Sequence, residues 1–220
     1  MAIILLLFFI LFLVLSIPAV QTKLGRYATD RVNNDFKTDI NIGRVGLQIN
    51  GDVELKDILI RDYKQDTLIS VGELNSSIIS FRNLLNSKLN FGDIDLQDVL
   101  FNLKTYKGEN DTNLDVFVAK FDSDNPRVGP SEFLFSSSDV SIEGGIFRLT
   151  DENLETPKIF EFTELYANTT NFLINGPEVS SRINKFSFID SRGIAVKNLM
   201  ANFEYTLDHM SFGDLNITTE

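Results

Sequence analysis

The chain of 220 residues has no cysteine, no tryptophan and a single histidine, His209. Without cysteine there are no disulfides, no thiolate nucleophile and no thiolate zinc site, and the redox compartment is unreadable. A Ser-His-Asp arrangement would have to use His209, and no nucleophile turn stands near it. A packed or solvated histidine is the simpler reading. Cationic residues are also scarce: 20 Lys and Arg against 31 Asp and Glu give a net charge of −11. That charge repels nucleic-acid phosphates, and no polybasic patch offers itself to a membrane surface. No glycine-rich phosphate loop follows a strand. Asp122, Asp124 and Asn125 superficially resemble a calcium loop but lack its glycine and distal Glu, so a helix-ending turn accounts for them. Asn75, Asn110, Asn168 and Asn216 head triplets of glycosylation form, which matter only in a chain that enters an endoplasmic reticulum. No catalytic residues, metal site or cofactor are expected, and the chain does not read as an enzyme.

What the chain has in quantity is apolar surface, including 19 Phe. Phe adds apolar area with no polar atom to satisfy, and suits either a β-rich core or a surface that touches lipid chains. Residues 1–20 carry no charge and one polar side chain, Ser16. Twenty such residues suffice for one membrane-spanning helix. A secretory signal would need a basic leading region and a small-residue cleavage site, and Pro18 with its bulky neighbours fits that poorly. Residues 1–20 are therefore expected to be an uncleaved anchor. Lys23, Arg26 and Arg31 follow it, a weak bias that does not settle orientation. Val20, Leu24, Tyr27, Ala28, Val32 and Phe36 then recur at three- and four-residue steps, which predicts an amphipathic helix over 21–36.

Residues 37–220 read mainly as strands. Gly51-Asp52-Val53-Glu54-Leu55-Lys56-Asp57-Ile58-Leu59-Ile60 returns as Gly92-Asp93-Ile94-Asp95-Leu96-Gln97-Asp98-Val99-Leu100-Phe101. In both copies apolar residues alternate, slip phase by one residue at Lys56-Asp57 or Gln97-Asp98, and alternate again. Alternation marks a strand with one buried face, and the slip predicts a β-bulge. Weaker echoes begin at Gly145, Gly193 and Gly213, with Asp151 and Asn198 at the place of the slip. A unit used so often points to an elongated array. Asn50-Gly51-Asp52 predicts a hairpin turn. Residues 82–86 read as a short turn or helix, and 112–121 as a short helix capped by Asn113 or Asp111. Further strands are expected over 133–142, 146–150, 158–165, 167–175, 179–189, 194–207 and 209–218. The chain ends within a strand-like echo and is expected to be the first part of a longer protein.

Several stretches together resemble the start of the TamB (translocation and assembly module B) branch of the AsmA-like family, in its Bacteroidota form. They are 16–29, Ile40-Asn41-Ile42, 51–62, 68–74, Asn83-Leu84-Leu85, 114–121 and 147–153, and they cover nearly the whole chain. The resemblance implies an inner-membrane anchor and a periplasmic β-rich body shaped as an open, taco-like groove lined with apolar side chains. It further implies phospholipid as cargo, a TamA-like Omp85-type outer-membrane partner, and a part in outer-membrane protein assembly. Lining candidates are Val53, Leu55, Ile58, Ile60, Ile94, Leu96, Val99 and Phe101. A closed β-sandwich core would give the same pattern. A structural scaffold or chaperone for an Omp85-type insertase, without lipid transfer, is the alternative role. If residues 1–20 are an anchor, alkaline carbonate leaves the intact protein in the membrane pellet; its release into the supernatant would refute the anchor.

Overall fold

A computed structural model describes residues 17–48, 52–78, 88–121, 134–156 and 158–219. Most of the expected anchor, the turn at Asn50-Gly51, the segment 82–86 and the Asp122-Asp124-Asn125 turn lie outside them. Among the described residues no helix is long and apolar enough to cross a membrane.

Helix α1 (Pro18–Phe36) opens the fold, starting earlier than the periodicity suggests because Pro18 is a favourable first-turn residue. It ends at Lys37, which caps in the left-handed region with φ 56°. Strands β1 (Asp39–Leu47), β2 (Asp52–Arg61), β3 (Thr67–Ile78) and β4 (Lys88–Thr105) follow. Helix α2 (Asn113–Val118), extended by a 3₁₀ turn (Ala119–Phe121), precedes β5 (Leu134–Asp151), β6 (Lys158–Asn175), β7 (Glu178–Asp190), β8 (Ala195–Tyr205) and β9 (Met210–Thr219). The strands form one sheet of nine in sequence order. Neighbours are antiparallel except β4 and β5, which run parallel because the connection through α2 crosses over. The fold is thus mainly β, one open sheet rather than a sandwich. The expected pairs 133–142 with 146–150, and 158–165 with 167–175, are each a single strand of 18 residues. The cap of α2 is Thr112 rather than its neighbours. Its hydroxyl accepts from the Asp115 N–H while the Asp115 carboxylate accepts in return, a capping box.

The repeated phase slip has a different cause from the bulge expected. Asp57 and Asp98 both take left-handed backbone, at φ 55° and 53°, yet register is unbroken there. Ile42 pairs with Ile58 and Arg44 with Lys56, so Asp57 faces Gly43 one to one. On its other side Asp57 faces Gly72, and Gly72 faces Asp98, which in turn lies beside Gly144. All five strands invert phase on one line, so none gains a residue. An inserted residue would shift register; a shared inversion does not. Asp tolerates left-handed backbone better than most residues, though still at a cost of about 1–2 kcal/mol. The glycines supply space, since a Cβ at Gly43 would come within 2.8 Å of Asp57 Cβ and one at Gly72 within 3.0 Å of Asp98 Cβ. True register shifts do occur within β6–β9, including one beside Asn198. Asp151 is no inversion point; it ends β5, and its carboxylate accepts the Asn153 N–H at 2.9 Å.

The sheet as a whole is curled rather than flat. A straight 18-residue strand would hold its ends nearly 60 Å apart, at about 3.3 Å per residue. The helical segment 113–121 is only about 14 Å long at 1.5 Å per residue. Yet it touches both ends of the sheet. Asn113 bonds the Asn102 carbonyl, near the C-terminal end of β4. Tyr205, at the far end of β8, donates to Asp115 at 2.6 Å, and the β6–β7 turn at Gly176 lies against the Phe121 carbonyl.

At the inversion line, Gly43→Ala is expected to cost about 1–3 kcal/mol through overpacking. Asp57→Val is expected to cost more than Asp57→Gly, because a β-branched side chain resists positive φ. Urea unfolding midpoints check both, and equal midpoints for all three variants would remove the line's steric role.

Candidate functional site

Residues directly opposite on paired strands share a face of the sheet. One such row runs unbroken from edge to edge: Val45, Leu55, Leu74, Leu96, Ile142, Ala167, Phe186, Leu199 and Ile217. Every member is apolar. The adjacent row, facing the other way, reads Gly46, Glu54, Asn75, Asp95, Ser141, Asn168 and Lys185. None of these offers an apolar side chain. Along this line the sheet therefore presents an apolar row across all nine strands and a polar row, on the other face, across the first seven.

The inversion line keeps the apolar face continuous along the strands as well. Leu55 and Ile58 are three residues apart and would point to opposite faces of a regular strand. Instead both join one cluster with Val71, Leu74, Leu96, Val99, Phe101 and Ile142. The eight residues singled out from the repeat accordingly share one face, but not one degree of exposure. Val53, Ile58, Ile94 and Val99 are buried, at 4, 9, 2 and 2 % exposure. Leu55, Ile60, Leu96 and Phe101 are half-buried. Sequence reasoning missed the rest of the face, because Phe186 and Leu199 lie on strands whose shifts blur the alternation. Stacked and tilted rings run across β5, β6 and β7, with Phe147, Phe162 and Phe188 at centroid spacings of 5.6 and 4.3 Å.

One end of the face is covered. Phe36 of α1, Leu68 of β3, and Phe117 and Phe121 of the α2 segment form a buried cluster, with Ile40, Ile60 and Ile69 packed against it. Below this plug sits a polar hub. Asp62 is 2 % exposed and accepts the Lys64 and Asp66 N–H groups at 2.9 and 3.0 Å. The Asn113 amide reaches its other oxygen at 3.0 Å, and the Tyr106 hydroxyl lies 2.6 Å from it. Burial, then the bonds to Asp62 and Asp66, push the Tyr106 hydroxyl pKa up. With every oxygen of Asp62 satisfied, the hub is structural. The β7–β8 turn repeats the device, Asp190 accepting from the Arg192 and Ile194 N–H groups at 2.9 Å each. His209, exposed, sits 3.0 Å from the Thr206 hydroxyl in the last turn. Among the described residues no cluster of His, Asp and Glu is placed to hold a metal ion.

No protein-family model matches the chain, and no curated protein is similar to it.

The contact between Tyr205 and Asp115 is the clasp that holds β8 to the plug. Burial alone would raise the Asp115 pKa, but the Tyr205 hydroxyl and two Thr112 donors outweigh it and hold the carboxyl below its ordinary value. A depressed folded-state pKa contributes stability above the ordinary carboxylate value, and that contribution is lost as pH falls through the depressed one. Tyr205→Phe is expected to lose about 1–2 kcal/mol near neutral pH. Urea unfolding of both proteins from about pH 7 down to about pH 3 then shows the gap closing in acid. A gap that stays constant to the lowest pH would refute a clasp to a carboxylate.

Proposed function

We propose that this chain is the membrane-proximal part of a TamB-like bridge that carries phospholipid along the apolar face of its sheet. In this reading residues 1–20 hold it in the inner membrane as a single span. The body stands in the periplasm, and the cargo moves toward an Omp85-type, TamA-like protein of the outer membrane whose assembly work it supports. The observation that carries the reading is the apolar row that crosses nine strands while much of it stays half-buried. A lone apolar face of this extent marks a binding surface. An acyl chain in water costs about 0.8 kcal/mol per exposed CH₂. A continuous apolar trough removes that cost along its length, and it needs no catalytic residue to do so. Taco-like curvature would let the two halves of the face meet the chain from both sides.

The rows divide by role. Ile58, Val71 and Val99, all buried, hold the crease together. Leu55, Leu96, Phe186 and Leu199 offer surface to a ligand.

A photoreactive residue placed at Leu199 is expected to crosslink phospholipid in membranes that carry the whole protein. Leu96→Glu is expected to reduce that crosslinking severalfold while the protein stays folded, because a charge at a half-buried site remains wetted. Val99→Glu is expected to unfold it, since the charge would be buried without a partner. A folded Leu96→Glu protein with undiminished crosslinking would refute the lipid path. Absence of any lipid adduct at Leu199 would favour the scaffold role.

A further inference from the structure

The backbone is not helical at the entrance to α1. Its N-cap, Ile17, is extended, at φ −78° and ψ 120°, as a residue before proline tends to be. From Pro18 the helix runs along the β1 edge of the sheet and seals it with side chains. The Gln21 amide donates to the Leu47 carbonyl at 2.9 Å and accepts the Leu47 N–H at 3.2 Å. Asn33 does the same for Ile40, at 2.8 and 2.9 Å, and the Thr22 hydroxyl accepts the Val45 N–H. Gly25 allows the close approach, since a Cβ there would come within 2.3 Å of Val45 Cγ2. Backbone groups of an edge strand point in the plane of the sheet. Helix α1 therefore caps the stack of strands rather than covering a face.

At about 3.6 residues per turn, the residues that bond β1 leave Lys23, Tyr27, Arg31 and Asn34 on the opposite side of the helix. All four are exposed, with Arg26 exposed at their flank. Tyr27, at 69 %, is the most exposed large apolar or aromatic side chain among the described residues. Cations that stand apart in the sequence thus share one side with an aromatic ring. Two acids accompany them, Asp30, exposed, and Asp35, 3.7 Å from Arg31. Three cations to two acids is a local excess in a chain of 20 to 31.

We propose that α1 lies flat on the membrane, its Tyr27 side in the headgroup layer of anionic phospholipid, so that the sheet stands upright on its β1 edge. This rests on the reading of residues 1–20 as an anchor. A helix running straight on from a span would hold Tyr27 about 14 Å above Pro18, beyond a headgroup layer of about 5–8 Å. The extended Ile17 instead lets the chain turn into the surface. A phenol ring has the apolar body and wet tip that suit this layer, and Lys23, Arg26 and Arg31 supply charge for phosphates. The strands then rise from the surface by about 4.8 Å each, which sets β9 about 38 Å above β1. The apolar row starts at Val45, against α1, where an acyl chain leaves the bilayer.

The natural chain has no tryptophan, so Tyr27→Trp places a single reporter on this side of α1. The chain is reconstituted in vesicles of phosphatidylglycerol and phosphatidylcholine that carry bromine near the carbonyl end of their acyl chains. The reporter's emission is expected to be blue-shifted and quenched. Asn216→Trp, on the face of β9 opposite Ile217, is expected to emit as in water and escape quenching. Lys23→Glu with Arg26→Glu is expected to weaken quenching of the Tyr27→Trp reporter severalfold, with the fold intact by circular dichroism. Phosphatidylcholine alone is expected to do the same. An unquenched, water-like reporter in a protein that stays in the membrane pellet through alkaline carbonate would overturn the proposal and leave the anchor standing. Quenching that survives both charge reversals, or that is as strong in phosphatidylcholine alone, would overturn the headgroup contact. Release by carbonate of a protein whose reporter had been quenched would refute the anchor and keep the surface contact; release without quenching would refute both.

Discussion

A left-handed aspartate facing glycine across a strand pair is the contact on which the architecture turns. Each such residue inverts the side-chain phase of its strand, and because neighbours invert on the same line the ladder keeps its register. The inversion also decides which backbone groups look outward from β1. Ile40 is an even position and Val45 and Leu47 are odd, yet all three present their N–H groups to α1, because Gly43 lies between them. The sealing of one edge thus follows from the same inversion.

The curl of the sheet explains why the α2 segment can serve as a plug. Its N-terminal end is fixed by Thr112 and Asp115 and by the Asn113 bonds to Asp62 and Asn102. Its far end carries Phe117 and Phe121 into the cluster with Phe36 and Leu68. On a flat sheet such a helix would cover one end only. Here β8 and the β6–β7 turn swing round to meet it. At the rim of this contact Lys104 bonds Asp66 at 2.8 Å and Lys64 lies 4.3 Å above the Tyr106 ring.

Much of this was legible in the residues. The shared phase slip located Asp57 and Asp98, and alternation placed the eight repeat residues on one face. What alternation cannot distinguish is an extra residue in one strand from a simultaneous inversion in two. That difference lies in the partner, and the glycines that reveal it, Gly43 and Gly72, sit in other stretches of sequence. The second half of the sheet was less readable for a related reason. Left-handed Glu164 and Asn171 and the register shifts of β6–β9 interrupt alternation at unequal intervals. Phe186 and Leu199 therefore show no pattern of their own until pairing sets them in line with Leu96. The long strands β5 and β6 were divided in two by the same interruptions.

The apolar face is divided by burial into a part that supports and a part that presents. Where the inversion line crosses β2, β3 and β4, Ile58, Val71 and Val99 pack to the exposure of a protein interior. Toward β9 burial falls away, and the last members of the rows stand about half exposed. A uniform core would bury the face evenly, and a uniform surface would carry far more charge on it. The gradient instead matches a sheet that is pinned along its crease and by its plug. Away from these, each apolar side chain has neighbours within the sheet, and among the described residues no second layer lies above it. Such a surface is held open by the stiffness of paired strands rather than by packing. Covering it stabilises whatever apolar body lies along it more than it stabilises the sheet itself.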